Sequence, residues 1–187
     1  MNNVQLINRL ISNVCEVPGS KILSGQLSED EWVRFDKRLP QMQGAPLYVD
    51  DTPGLSVFEL RTKARRLKRE HDIQLLMIDY LQLMNANGMR FNSRQEEVST
   101  ISRSLKGLAK ELDIPIIALS QLNRTVEQRD GLDGKRPQLS DLRESGAIEQ
   151  DADMVLFVHR PEYYHIYQDS NGQDLRGRAQ IIICQAP

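Results

Sequence analysis

Asp79 closes the apolar run LLMI (Leu75 to Ile78), and a carboxylate is out of place inside a packed strand. Burying an unpaired charge costs several kcal/mol or more, so Asp79 is expected to project from the strand's end and not to lie within it. An aspartate so placed can hold Mg²⁺, usually through water, with the metal bridging phosphates. It can equally cap a helix or set a turn. Gln121 ends a second run of this kind, PIIALSQ. An amide at that point can touch a phosphate and a neighbouring loop together, or be an ordinary polar strand end. The two residues lie one strand–helix–strand unit apart by pattern.

Apolar run plus aspartate is the Walker-B pattern of P-loop NTPases, which also requires G-x-x-x-x-G-K-[ST] to cradle phosphate on backbone amides. No glycine in the chain begins such a motif. GLDGKR (Gly131 to Arg136) has the wrong spacing and no Ser or Thr after it, and GSKILSG (Gly19 to Gly25) fails as well. Other chemistries fare no better. His71, His159 and His165 sit in unrelated contexts and form no ligand set. Cys15 and Cys184 make neither a zinc spacing nor a disulfide framework, which suits two thiols in a reducing cytoplasm. There is no G-x-S-x-G elbow. Asp50 and Asp51 precede Thr-Pro and read as turn residues.

Those candidates need a frame to hold them. The chain has 187 residues, 40% hydrophobic and 27% charged, which suits one soluble domain with a real core. Its net charge of -2 gives no global attraction to nucleic acid or membrane, so any basic site must be local. No apolar run approaches the roughly 18 residues of a membrane span. Leu6, Ile7, Leu10, Ile11 and Val14 mark a first helix that Pro18 and Gly19 end. Ser28 with Glu31, Ser56 with Glu59 and Ser93 with Glu96 read as capping boxes opening three more. The helix after Ser56 buries Val57, Leu60, Ala64 and Leu67. Its other face carries Arg61, Lys63, Arg65, Arg66, Lys68 and Arg69, either a solvated face or a nucleic-acid or subunit contact. Val98, Ile101, Leu105, Leu108 and Leu112 step along the helix after Ser93. Strands are expected at Pro46–Asp51, Gln74–Asp79, from Pro115, at Met154–Arg160 and at Ala179–Cys184. A Tyr-rich hairpin-like region precedes the last. Alternating strands and helices predict an α/β fold with a mostly parallel sheet and helices on both faces. In such sheets ligands sit beyond the carboxyl ends of the strands, where Asp79, Ser120 and Gln121 fall.

The strings IDYLQLM, SRQEEVSTISRSLKGLAKEL, IPIIALSQLNR and KRPQLSDLRESGAIEQDADMV closely resemble the motor domain of bacterial replicative DNA helicases, the DnaB family. YVDDTPGLSVFELRTKARRL fits the same pattern. The resemblance covers nearly the whole chain and implies a RecA-like core. Such cores assemble as a hexameric ring that hydrolyses ATP with Mg²⁺ and moves 5′→3′ along single-stranded DNA. By resemblance Asp79 is the Walker-B aspartate and Gln121 the sensor that couples nucleotide state to DNA contact. Arg143, Glu144 and Gly146 match a loop that contacts the DNA backbone. The loop Asn87 to Arg94 tends to face the pore, with Arg90 and Arg94 as its cations.

This sequence departs from the family's pattern in lacking the P-loop with its strand, the catalytic glutamate and the Lys-x-Arg segment expected after IIIC. Residues 1–187 are therefore expected to form one partial RecA-like ATPase domain that by itself binds no nucleotide and does not turn over ATP. Primase and the helicase loader are partners of the family through regions absent from these residues. Two alternatives stand beside this reading. One is a non-catalytic remnant that binds single-stranded DNA weakly or docks on intact helicase subunits. The other is a different RecA-like ATPase, such as a recombinase relative.

Overall fold

The computed structural model describes residues 2–185 except 130, 132, 133, 146 and 147, with the backbone alone at 143–145 and 185. The chain divides into two compact units, Met1–Pro53 and Gly54–Pro187.

The first unit is helical. Its elements are α1 (Asn3–Cys15), α2 (Gly19–Ser24) and α3 (Glu29–Arg38), followed by a 3-10 turn at Leu39–Gln41. Asn2 and Gln5 form a reciprocal capping box at the start of α1, and Ser28 and Glu31 form the expected one at α3. Glu16 ends α1 in the left-handed region, and Pro18 then opens α2 in place of a plain stop. Cys15 and Val17 are the best-buried residues of this unit. Glu31 is buried too. Its carboxylate takes the Lys21 ammonium at 2.7 Å and the Ser28 N–H at 2.8 Å. These bonds hold its pKa down to about 2.

The strand expected at Pro46–Asp51 does not form. These residues pair with no strand among the described residues, and Leu47 and Tyr48 lie exposed. Apolar alternation makes a strand only where a neighbour supplies hydrogen bonds and a surface to cover. Asp50 sets a turn, as expected, by accepting the Thr52 N–H at 3.0 Å.

The second unit begins with α4 (Val57–His71), β1 (Leu76–Ile78), α5 (Arg94–Leu112) and β2 (Ile116–Ala118). After 3-10 turns at Arg124–Gln128 and Leu139–Ser145 come α6 (Ile148–Asp151), β3 (Met154–His159) and β4 (Gln180–Gln185). β1 and β2 run parallel with Leu76 opposite Ile116 and Ile78 opposite Ala118. β3 and β4 form a separate antiparallel pair with Leu156 opposite Ile183 and Val158 opposite Ile181. A polar hairpin needs no crossover helix, which is why the last two strands oppose each other.

The core lies between the β1–β2 pair and the helices. Val57 and Leu60 of α4, Ile78, and Val98, Ile101 and Leu105 of α5 form one cluster. Ala64, Leu108, Leu112 and Ile114 form a second, with Leu76 and Ile116 packed against both. Every apolar position expected of α5 is buried. The strands differ from expectation. The first three are shorter, and one face of each pair is bare: Met77 is 61% exposed, and Met154, Leu156, Val158, Ile181 and Ile183 line up exposed on β3–β4. The opposite face of that pair packs Val155 and Phe157 against Leu142. Part of the basic run on α4 is structural, since Arg61 and Arg65 both pair with Glu111 of α5.

Candidate functional site

The carboxyl ends of β1 and β2 are stitched together beyond the strands themselves. The Leu119 N–H donates to the Ile78 carbonyl at 2.9 Å, and the Leu81 N–H donates to the Leu119 carbonyl at 2.9 Å. Asp79 therefore leaves β1 beside Leu119, one strand-step before Ser120 and Gln121. It is exposed, as a charge at a strand exit should be, and its carboxylate has no hydrogen bond or ion pair among the described residues.

Gln121 is exposed on the wall of a shallow depression of about 440 Å³, shared with Gln82, Arg94, Gln95, Val98, Leu122, Asn123 and Arg124. The structure thus brings Gln121 and Arg94 together, and it adds Arg124, which the sequence reading passed over. Asp79 is not on this wall. Among the described residues the wall carries guanidinium and amide groups and no carboxylate. Such a surface suits a phosphodiester backbone and offers no code for bases.

Arg94 is less free than a pore cation would be. Its Nη2 donates to the Gln82 carbonyl at 2.9 Å and the Met84 carbonyl at 2.7 Å, while Nη1 pairs with Glu97. Glu97 in turn accepts the N–H of Ala86, a residue 1% exposed, at 2.9 Å. That backbone bond, ahead of the Arg94 contact, holds the Glu97 carboxyl below the usual carboxylate range. The pair at the start of α5 therefore clamps the loop that leaves β1. Ser93 caps α5 through the Glu96 N–H, but Glu96 turns to the Asn92 N–H, so the expected box is half formed. Arg90 lies exposed on the same loop.

The loop after β2 has its own anchor. Asp141, 3% exposed, pairs with Arg129 and accepts the Gln138 N–H at 2.8 Å. Its carbonyl takes the Asn123 N–H at 3.2 Å. Arg143 and Glu144 have their backbone in the 3-10 turn Leu139–Ser145, but their side chains, like the whole of Gly146, lie outside the described residues. Besides Arg124, sequence reasoning missed Gln82, Glu97 and Asp141. Gln82 and Glu97 gave no signal because each acts on a backbone far from it along the chain, and Asp141 because its partners are the Arg129 guanidinium and the Gln138 N–H.

As a metal site the structure provides little. The described residues contain no group of three or more His, Cys, Asp or Glu able to hold an ion. No helix is long and apolar enough, among the described residues, to cross a membrane.

The family model of the DnaB-like helicase C terminal domain matches residues 1–186, across both compact units. The replicative DNA helicase DnaB of Mycobacterium leprae is 48% identical over 99% of this chain, and that of Geobacillus stearothermophilus is 44% identical over 99%. The chain spans 29% and 39% of the length of these two relatives. A DnaB-like replicative helicase, solved in a study of its interactions with primase, superposes with a TM-score of 0.81 at 35% identity. That match covers 98% of this chain and 45% of the solved one. The ATPase domain of G40P gives the same TM-score and identity, with 67% of that domain covered. The fold is accordingly α/β of the RecA-like type.

Proposed function

Because this chain belongs to the family of DnaB-like helicase C-terminal domains, we propose that it is part of the motor of a replicative DNA helicase. In the whole protein the motor is a hexameric ring in the cytoplasm that hydrolyses ATP and unwinds duplex DNA 5′→3′. The part assigned to this chain is single-stranded DNA contact at the carboxyl ends of β1 and β2. The observation that carries this reading is the placement of Gln121, Arg124 and Arg94 on one wall with no carboxylate among its described residues. Arg90 and the Arg143–Gly146 loop extend the contact by resemblance. Asp79 supplies one water-mediated Mg²⁺ contact and Gln121 senses the nucleotide, while the phosphate cradle comes from outside residues 1–187. Primase and the loader dock elsewhere on the whole protein. The DnaB-like family match disfavours a recombinase relative.

Fluorescence anisotropy with short labelled oligonucleotides tests the DNA contact. One subunit offers few phosphate contacts, so binding should be weak, fall steeply with salt and ignore base sequence. Arg124→Ala or Arg143→Ala should weaken all sequences alike and lower the salt slope by about 1. A complex that survives high salt or discriminates among sequences refutes the reading.

A second reading, a remnant that docks on intact subunits, draws support from the bare apolar face of β3–β4. It predicts co-purification with a full-length helicase but no oligonucleotide binding.

A further inference from the structure

Gln82 sits in the 3-10 turn Leu81–Leu83, three residues beyond Asp79. Its side chain spans the two strand exits. Nε2 donates to Ser120 Oγ at 2.9 Å, and Oε1 accepts the backbone N–H of Gln121 at 3.2 Å. A backbone N–H can only donate, so the orientation of the amide is fixed by its partners. The main chain of Gln82 is held as well, since its carbonyl takes Arg94 Nη2 at 2.9 Å. Arg94 then reaches Met84 and Glu97, and Glu97 reaches Ala86. One connected set of bonds thus runs from the exit of β2, through the turn after β1, to the start of α5.

We propose that Gln82 is a positioning residue: its amide fixes Gln121 to the exit of β1, so that the Gln121 side chain and the loop leaving β1 face a ligand as one body. The effect on DNA affinity rests on the function proposed above; the fixing of Gln121 does not. Without Gln82, Ser120 and the Gln121 N–H lose their partners on β1's side, and the β2 exit is tethered through Leu119 alone.

Amide hydrogen exchange of the ¹⁵N-labelled chain, read by NMR, tests this, with oligo(dT) anisotropy beside it. Gln82→Ala should speed exchange at Gln121 by roughly 10-fold relative to Leu108, the scale of one lost hydrogen bond. Oligo(dT) affinity should fall about 3- to 10-fold. Gln82→Glu keeps acceptors for both the Ser120 hydroxyl and the Gln121 N–H, so it should restore protection at Gln121, while its added carboxylate on the wall should leave oligo(dT) affinity low. A merely space-filling Gln82 would be rescued as well by Gln82→Met, which keeps the bulk and offers the Gln121 N–H no comparable acceptor, whereas a brace would not. Unchanged exchange at Gln121 in Gln82→Ala, a Gln82→Glu that protects Gln121 no better than Gln82→Ala, or a Gln82→Met that protects it fully overturns the proposal. Should Gln82→Ala fail to fold, Ser120→Ala removes one anchor and decides: faster exchange at Gln121 supports the brace, and wild-type exchange overturns it. If the wild-type chain binds no oligonucleotide, the proposed function falls, and exchange alone still judges the brace.

Discussion

Replacing Glu97 by alanine should destabilise the second unit by about 2–3 kcal/mol. The reasoning starts from Ala86, whose N–H is buried and donates to the Glu97 carboxylate. A hydrogen bond to an ionised acceptor contributes about 1.5–3 kcal/mol, and its loss leaves that N–H without a partner. Arg94 adds little, because its side chain is 47% exposed, and exposed pairs give about 0–1 kcal/mol. Glu97→Gln keeps an acceptor for Ala86 and loses the charge, so it should cost about 1 kcal/mol. Urea denaturation followed by circular dichroism measures both. The pH dependence provides a second check. The folded carboxyl titrates below its unfolded value, so its stabilisation is fully present above the ordinary carboxylate range. It is lost as pH falls through the lower, folded pKa, whereas Glu97→Gln should lack this component. Equal losses in the two variants, or a Glu97→Ala within about 0.5 kcal/mol of wild type, would refute the assignment of the energy to the Ala86 bond.

Glu31 should show the same sign in the first unit: its stabilisation is whole above pH 4.5 and disappears as pH drops toward about 2. Glu31→Gln should flatten that limb in an acid titration followed by Trp32 fluorescence. Calorimetry of the 187-residue chain with millimolar ATP and Mg²⁺ should show no saturable binding, because no phosphate-cradling loop is encoded in it; a micromolar Kd would contradict this. The bare face of β3–β4 should make the isolated chain self-associate in light scattering. Leu156→Lys with Ile183→Lys should return it toward a monomer, and a wild-type chain that is already monomeric would contradict the expectation.

Local rules made the helices legible. Ser28 and Ser56 with their partners three residues on, and the five apolar steps of α5, need nothing beyond one turn of helix to act. Strand extent was not legible in this way. Leu75, Met77 and Leu119 are as apolar as Ile78, yet they lie exposed, because burial of a strand depends on which layers cover it. The Pro-Gly pair at 18–19 suggested an end where it also makes a beginning. At the site, Asp79 and Gln121 stood out as polar endings to apolar runs, and the structure places both at the strand exits. Gln82 and Glu97 were invisible because they hold distant backbone N–H groups, and a backbone carries no residue identity to read.

The shortness of β1 and β2 has a kinetic consequence. Their three-residue ladders join segments roughly forty residues apart, so pairing closes a long loop for few bonds. Most of that loop is α5, whose 19 residues can form locally and then present Ile101 and Leu108 to both strands. Docking of α5 on α4 should therefore precede the β1–β2 ladder. Truncating Leu105 or Leu108 should then slow folding, whereas truncating Ile78 or Ile116 should mainly hasten unfolding. The last contacts to form, and the first to open, would be the strand exits from which Asp79 and Gln121 project.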